Sequence, residues 1–472
     1  MQIKFPDKLI RLAIYLLPFT PFAFQQQGLG IVQPSLPIIL LVLTLFLFQK
    51  DINNKLVLGN KKSANAVIFF LCIALISTFI SVYFDNFYSI NKSIGVFISL
   101  LIFFSAYYTF SAVNINPYKG SMFFNDFMNA SFFVASTVII EFIIKKVSGQ
   151  NYFYEIINSV HALLPYSSAK WIDVSFADRY KGILQEPGDV GLFMIPAFAS
   201  SISVLMINKK SVYHSFCILF FTLATLLTRS TTNYFLLIVI VCFVLINNNK
   251  STANIKLKQI LIYSILGLIF FLLVAILIIT QFQAYLPLII QDRLANLTSF
   301  LETQSYDNTT NLSVQVILNS YNTAIYSLQK NPLFGVGLGN IAQSYEIVTL
   351  ARGIDTRLNQ HDGYSMLFRL LTEVGLVGCV AFLYVFWSRF TQSLKFMKYI
   401  NEYLIRFKDK NQCSELYKSV SMINSAAVSS LLYALVNLPT YWNLIIPLLF
   451  GLCSKVSFAI PREQMNLTKL RN

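Results

Sequence analysis

The chain has 472 residues, of which 56% are hydrophobic and only 12% are charged. So much apolar surface excludes a soluble globular domain and predicts an integral membrane protein. The formal net charge of +15 would also suit a nucleic-acid partner, but the basic residues alternate with apolar segments as they do in membrane proteins. We therefore expect no nucleic-acid partner.

A helix needs about 20 apolar residues to cross the hydrocarbon core of a bilayer. The first such segment follows Lys4, Lys8 and Arg11, so it is interpreted as a span and not as a cleaved signal. The sequence predicts an all-α, polytopic membrane helix bundle of about twelve transmembrane helices. The predicted spans are residues 9–24, 29–48, 65–84, 94–113, 121–144, 190–207, 212–229, 231–246, 259–280, 363–386, 420–437 and 440–458.

Lysine and arginine residues predict the orientation of this bundle. If every span is real, the basic segments all fall on the same side as both termini, and that side is cytoplasmic. Two long segments, 145–189 and 281–362, then lie outside, as loops of a single membrane domain that covers residues 1–472. The cytoplasmic side is marked by Lys50, Lys55, Lys61, Lys62, Lys119, Lys209, Lys210, Lys250, Lys256, Lys258, the stretch Arg389–Lys418, Lys455, Arg462, Lys469 and Arg471.

The second outer loop carries a helical pattern that starts at Ser313. It predicts an amphipathic helix lying over the membrane domain. The glycine-rich stretch 331–340, with the sequence NPLFGVGLGN, ends this helix and predicts a tight turn. The apolar face of the helix is formed by Ile317, Tyr321, Ile325 and Leu328.

Cationic residues recur on the outer side near the ends of spans, where the positive-inside tendency works against them. Each one alone is explained equally well by a snorkelling anchor or by a salt bridge, such as Arg179 with Asp178 or Glu186. As a group they predict an anion site, because guanidinium groups hold phosphate oxygens in bidentate pairs. These cations are Arg179, Lys181, Arg229, Arg293, Arg352, Arg357 and Arg369.

His361 lies beside Asp362 at the predicted outer mouth of a span. An imidazole in that position is suited to proton transfer near neutral pH, although a single histidine is more often structural. We expect no metal, because no second histidine or cysteine lies near it on the outer face and the six cysteines of the chain form no CxxC pair.

Acidic residues inside the predicted spans have two readings. Glu373 follows Arg369 by four residues, and a pair on one helix face would by itself account for both charges. Arg369 is also the cation placed nearest the hydrocarbon and is therefore a candidate for a substrate pathway. Asp126 and Glu141, in the fifth span, leave the same choice open.

The order of several short motifs resembles the O-antigen polymerase and O-antigen ligase superfamily. The motifs are RYKGILQEPGDVG before a mid-chain span, TRSTTNYF between two spans, and NPLFGVGLGN followed by HDGYSML and LLTEVGLVG. The resemblance implies a metal-independent glycosyltransferase with a GT-C-like fold and no cofactor. It also implies that Arg179, Arg293 and Arg352 bind a lipid diphosphate and that His361 lies near the acceptor.

These observations together predict a polymerase of polysaccharide repeat units, for O-antigen or capsule, in the bacterial inner membrane. The expected partners are undecaprenyl-diphosphate-linked donor and acceptor glycans, membrane lipids and a chain-length regulator. The predicted catalytic residues are His361, Arg352 and Arg293, at a site that faces the periplasm. The residues predicted to bind substrate are Arg179, Lys181, Glu186, Arg229, Arg357, Arg369 and Glu373.

Two alternatives remain open at this point. A ligase would transfer the finished glycan to lipid A core. A flippase for lipid-linked oligosaccharides would share the many spans, but transporters of that kind usually have short loops on both faces and internal repeats. The two long outer loops and the lack of a visible repeat favour chemistry at the outer face.

Overall fold

The computed structural model describes most of the predicted membrane segments but not all of the predicted site. The predicted span at 259–280 and the residues Arg293, Arg352, Arg357 and His361 lie outside the described residues. Those described are 5–22, 24–26, 30–32, 35–47, 61–84, 90–113, 117–162, 179–184, 186–208, 211–248, 312–351, 363–406, 410–438, 441 and 443–454.

The described residues are almost entirely helical. They also include a 3-10 helix at Leu17–Phe22, an antiparallel pair of short strands, β1 (Phe24–Gln26) and β2 (Gly30–Val32), and turn segments such as 331–340. The helices are α1 (Phe5–Tyr15), α2 (Leu36–Leu47), α3 (Lys61–Phe84), α4 (Ile90–Val113), α5 (Pro117–Ser148), α6 (Tyr152–Ala162), α7 (Gly191–Ile207), α8 (Val212–Leu227), α9 (Thr231–Asn248), α10 (Leu312–Lys330), α11 (Ile341–Ala351), α12 (Met366–Arg406), α13 (Lys410–Asn437) and α14 (Ile445–Ser454).

Five of the described helices are long and apolar enough to cross a membrane. They contain the segments Ala64–Tyr83, Ile90–Ser111, Gly120–Ser148, Met366–Lys398 and Ser414–Asn437, and shorter apolar helices lie at Gly191–Ile207, Val212–Leu227 and Thr231–Val244. The share of the best apolar window that is buried ranges from 39% to 61% in the five long segments. Much of their apolar surface therefore faces outward, as it does in helices surrounded by lipid.

The start of the chain differs from the prediction. The first predicted span, 9–24, is divided, because α1 ends at Tyr15 and is followed by the 3-10 helix that contains Pro18 and Pro21. Proline has no backbone N–H to donate and therefore breaks the α-helical ladder. The second predicted span, 29–48, consists of β2 and the short helix α2. The count of about twelve spans stays a prediction.

The centre of the bundle is formed by α7, α12 and α13. Helix α7 packs against α8, α9 and α13, and α12 packs against α3, α10 and α13. Aromatic contacts extend this core to α4 and α14. The ring centroids of Phe386 and Phe450 lie 4.7 Å apart, and those of Phe103 and Phe386 lie 6.1 Å apart. Such edge-to-face pairs stabilise a core beyond the burial of their area.

Helix α12 is broken at Gly375, where φ is 66° and ψ is −166°. The break leaves backbone groups of α12 without partners in the helix, and the glycine-rich stretch 331–340 supplies them. A Cβ atom on Gly335 would lie 2.7 Å from the backbone nitrogen of Gly375, so glycine is required for this approach. The four hydrogen bonds, of 2.8–3.1 Å, run from Val336 N to Thr372 O, from Gly337 N to Glu373 O, from Leu376 N to Pro332 O and from Val377 N to Leu333 O.

Serine side chains of α3 and α4 complete the seat of the glycine-rich stretch. They donate to its outward carbonyl groups, which leaves fewer backbone groups unpaired at membrane depth. The predicted tight turn is therefore bound into the membrane domain and does not project from it. The donors Ser77, Ser81 and Ser93 bond to the carbonyl oxygens of Phe334, Val336 and Leu338, respectively.

The predicted amphipathic helix corresponds to α10, but its faces are arranged differently from the prediction. Tyr321 and Ile325 are 49% and 37% exposed, whereas a polar stripe is buried. Burial on α10 thus includes polar residues as well as Val316 and Ala324, and it leaves part of the predicted apolar face outside. The buried stripe consists of Gln315, Asn319, Ser320, Thr323 and Ser327.

Candidate functional site

The end of the predicted outer loop 145–189, which we call the first outer loop, is held to the bundle by Glu141, a residue of α5 that is 2% exposed. Its Oε2 atom accepts hydrogen bonds from the backbone amides of Lys181 and Gly182, each at 2.8 Å. Its Oε1 atom accepts from the side chain of Asn151 at 3.1 Å. The carboxylate therefore anchors the backbone at Lys181 and Gly182 to α5.

We expect Glu141→Ala to loosen this loop. Two backbone amides and the Asn151 amide would lose their acceptor, at a cost of about 1–3 kcal/mol for an unsatisfied buried group. The expected result is faster proteolytic cleavage in the first outer loop and reduced activity. Limited proteolysis of the purified protein measures this. The exposed Glu346 on α11 provides the control, because Glu346→Ala should leave cleavage unchanged; equal cleavage in both variants would contradict the anchoring role.

The second part of the site is the turn between α8 and α9. Arg179 Nε donates to the carbonyl oxygen of Thr228 at 3.3 Å, so the loop and the turn are joined. Arg229 in this turn has a φ of 47°, a left-handed conformation that non-glycine residues rarely adopt and that is often found at functional sites. The charges of both arginines act on the hydroxyl of Tyr234. Two cations from distant parts of the sequence are thus brought together.

The third part is a set of polar groups on α9, α12 and α13. The hydroxyls of Thr232 and Tyr364 are 3.0 Å apart, which joins the start of α9 to the start of α12. Tyr433 of α13 donates to the carbonyl oxygen of Gly188, and Asn437 donates to the Tyr433 hydroxyl at 2.7 Å. The starts of α7, α9 and α12 and the ends of α8 and α13 therefore meet at one end of the bundle.

Asp189 lies in this set. It is half-buried and stands two residues before the start of α7. Its Oδ2 atom accepts from the backbone amide of Glu186 at 3.1 Å. Burial, together with the negative charge of Glu186, raises the pKa of the Asp189 carboxyl from 3.8 to about 7, against the opposing charge of Lys181. This carboxyl consequently exchanges its proton near neutral pH.

The raised pKa makes stability depend on pH. Between about pH 4 and pH 7 the folded protein binds a proton at Asp189 that the unfolded chain has released, so the free energy of unfolding should decrease as the pH rises through this range. Thermal unfolding in detergent at several pH values measures the effect. Asp189→Asn should show a smaller decrease over the same range. An identical pH dependence in both proteins would contradict the assignment.

Arg369 and Glu373 form a separate, buried ion pair. Arg369 Nε lies 3.2 Å from Glu373 Oε1, and their side chains are 7% and 0% exposed. Tyr441 donates to Glu373 Oε2 at 3.2 Å, and its ring lies 4.7 Å from the guanidinium carbon. The amide of Gly339 also donates to Glu373, at 3.2 Å. The pair predicted from the i,i+4 spacing is present and ties the glycine-rich stretch to α12.

The structure thus divides the predicted site residues into groups. Arg179, Lys181, Glu186 and Arg229 lie on the first outer loop and the α8–α9 turn, which meet at one end of the bundle, while Arg369 and Glu373 pair below the glycine-rich stretch. The remaining four, Arg293, Arg352, Arg357 and His361, lie outside the described residues, so their roles stay predictions.

Several polar residues of this region were not identified from the sequence. Asp189 stands inside the quoted motif RYKGILQEPGDVG and could have been considered with Glu186. The sequence allows Glu141 either a structural pairing or a place in a substrate pathway. Its hydrogen bond from the Lys181 amide shows that it anchors the loop. Tyr364 and Tyr433 carried no local signal, because their importance comes from contacts between helices distant in sequence.

Fold and site together indicate a membrane protein in which cations and carboxyl groups are held at one end of a helix bundle. Residues 214–383 match the family model described as O-antigen ligase. The match supports the O-antigen ligase and polymerase superfamily, so the resemblance noted in the sequence is confirmed. It includes Arg229, the glycine-rich stretch and the Arg369–Glu373 pair, whereas Arg179 and Lys181 precede it. A comparison with curated proteins found no match.

Proposed function

We propose that this protein polymerises lipid-linked glycan repeat units at the periplasmic face of the bacterial inner membrane. The observation that supports this most directly is the junction of Arg179 with the turn that carries Arg229, through the bond to Thr228. The match of residues 214–383 to the O-antigen ligase family gives these cations a substrate class, namely glycans carried by a lipid.

The proposed reaction transfers the growing glycan from undecaprenyl diphosphate to the non-reducing end of a lipid-linked repeat unit. A hydroxyl of the acceptor attacks the anomeric carbon of the donor, and the diphosphate leaves with the bonding electron pair. Because the donor is already activated, the main requirement is to stabilise the developing negative charge. Arginines held in place beforehand and shielded from water meet that requirement without a metal.

The residues have distinct proposed roles in this scheme. Arg179, together with Arg293 and Arg352, binds the diphosphate, and Lys181, Arg229 and Arg357 add positive charge around it. His361 lies near the acceptor. Arg369 and Glu373 support the site through the glycine-rich stretch, since their charges are already paired with each other. Alignment of two membrane-anchored substrates contributes further to the rate.

The ligase is the second candidate, and the match to the O-antigen ligase family is equally consistent with it. It would use the same donor and the same cations but a lipid A core acceptor. The two long predicted outer segments suit either enzyme. A flippase would not use the family's glycan-joining chemistry.

The discriminating experiment is the analysis of glycans that accumulate when the protein is lost. If the protein is a polymerase, its loss should leave single repeat units at the outer face. Return of the full-length protein should restore long chains. Long chains that are not attached to lipid A core would overturn the polymerase in favour of the ligase. If no repeat units reach the outer face, the protein acts before the chemistry proposed here.

A further inference from the structure

Asp189 combines an anchored and an open carboxylate oxygen. The Oδ2 atom is held by the backbone amide of Glu186 at 3.1 Å, and the Asp189 amide returns a bond of 3.0 Å to the Glu186 carbonyl oxygen. This reciprocal arrangement, similar to a capping box, fixes the turn before α7. Within the described part of the chain, Oδ1 makes no hydrogen bond, and the side chain is half-buried. Such a group is oriented and still accessible.

The titratable groups around Asp189 come from three elements. Lys181 and Glu186 belong to its own loop and act on it with opposite signs. Tyr433, on α13, interacts electrostatically with Asp189, with Glu186 and with Tyr364 at the start of α12. The Asp189 carboxylate also lies on the same loop as Arg179 and Lys181, the cations proposed to act on the diphosphate. A hydroxyl that attacks the anomeric carbon must come within a few bonds of that diphosphate.

We propose that Asp189 is the general base of the glycan transfer, an inference that rests on the proposed function. The acceptor hydroxyl oxygen forms a bond to the anomeric carbon while the bond from that carbon to the diphosphate oxygen breaks. The electron pair leaves with the diphosphate, and the hydroxyl proton passes to Asp189 Oδ1 and later to water. This assigns to Asp189 the proton transfer for which His361 was the candidate in the sequence.

The ionisation behaviour of Asp189 agrees with this role. A base works best when its pKa lies near the operating pH, and burial beside Glu186 raises the pKa of this carboxyl to about 7. A carboxyl with an ordinary pKa would hold the transferred proton less well. The burial that costs the folded state stability at high pH is the same burial that increases the basicity of the carboxylate.

The test uses Asp189→Asn in the full-length protein, purified in detergent and assayed with a synthetic lipid-diphosphate oligosaccharide. The amide oxygen of asparagine can still accept the bond from the Glu186 amide, so the turn is retained while basicity is lost. We expect kcat to decrease by about 10²–10⁴-fold, the usual contribution of a general base, with little change in KM. We expect the parent to lose rate at acidic pH, and this loss should disappear from the residual activity of the variant. Asp189→Glu should restore part of the rate.

Two controls separate the possible outcomes. Glu155→Gln removes an exposed carboxylate on α6 and should keep the full rate. His361→Ala should keep the acidic limb of the pH profile. If Asp189→Asn retains the parent rate, or loses rate but keeps the acidic limb, Asp189 is not the base. If Arg179→Ala is inactive in the same assay, the proposed function stands in either case; if Arg179→Ala is fully active, the proposed function itself fails.

Discussion

Replacement of Arg179 by alanine is expected to lower the rate of glycan transfer by about 10²–10³-fold, the loss that follows when one donor to a developing negative charge is removed. The bond from Arg179 Nε to Thr228 orients the guanidinium toward the turn that carries Arg229. Arg179→Lys keeps the charge but not the planar fork, so it should recover only part of the rate. The measurement is the length distribution of glycans in cells together with the rate of the purified enzyme.

A loss of charge alone should not produce this effect. Lys146 is an exposed cation at the end of α5, just before the first outer loop. Lys146→Ala should therefore give glycans of normal length. If Arg179→Ala and Lys146→Ala behave alike, with normal chains in both, the diphosphate site at this end of the bundle is refuted.

Arg369→Ala is expected to have the largest effect on stability. It would leave the carboxylate of Glu373, which is 0% exposed, without its positive partner. Removing one member of a buried ion pair typically costs about 3–5 kcal/mol, because the other charge stays in a medium of low polarity. The glycine-rich stretch should also be affected, since the Gly339 amide shares the same carboxylate. Denaturant unfolding of the purified protein in detergent measures the loss.

A double substitution distinguishes a lost attraction from an uncompensated charge. In Arg369→Leu with Glu373→Gln both charges are gone, while the glutamine oxygen can still accept a hydrogen bond, so this variant should be clearly more stable than Arg369→Ala. Lys398→Ala, at an exposed position on the same helix, should leave stability nearly unchanged. Should the double variant be as unstable as the single one, packing and not charge would explain the result. Its activity then shows whether the pair has any role beyond support.

Elements that are determined by local interactions were predicted well, and elements that depend on contacts distant in sequence were not. Helices α3, α4, α5, α7, α8 and α9 follow their predicted spans closely, because the apolar runs that define them are local. The division of the first span coincides with Pro18 and Pro21, which interrupt the helix inside an apolar run. The buried polar stripe of α10 could not be predicted from its pattern, since it depends on how α10 packs against α11 and α12.

The amino-acid sequence by itself determined the membrane class, most helices and the resemblance to enzymes that join lipid-linked glycans. It also contained the i,i+4 spacing of Arg369 and Glu373, a relation within one helix. Only the tertiary structure decided that Glu141 holds the loop with Lys181 and that Tyr364 meets Thr232. Those contacts join residues far apart in sequence, and their geometry depends on how whole helices pack, which no local pattern encodes.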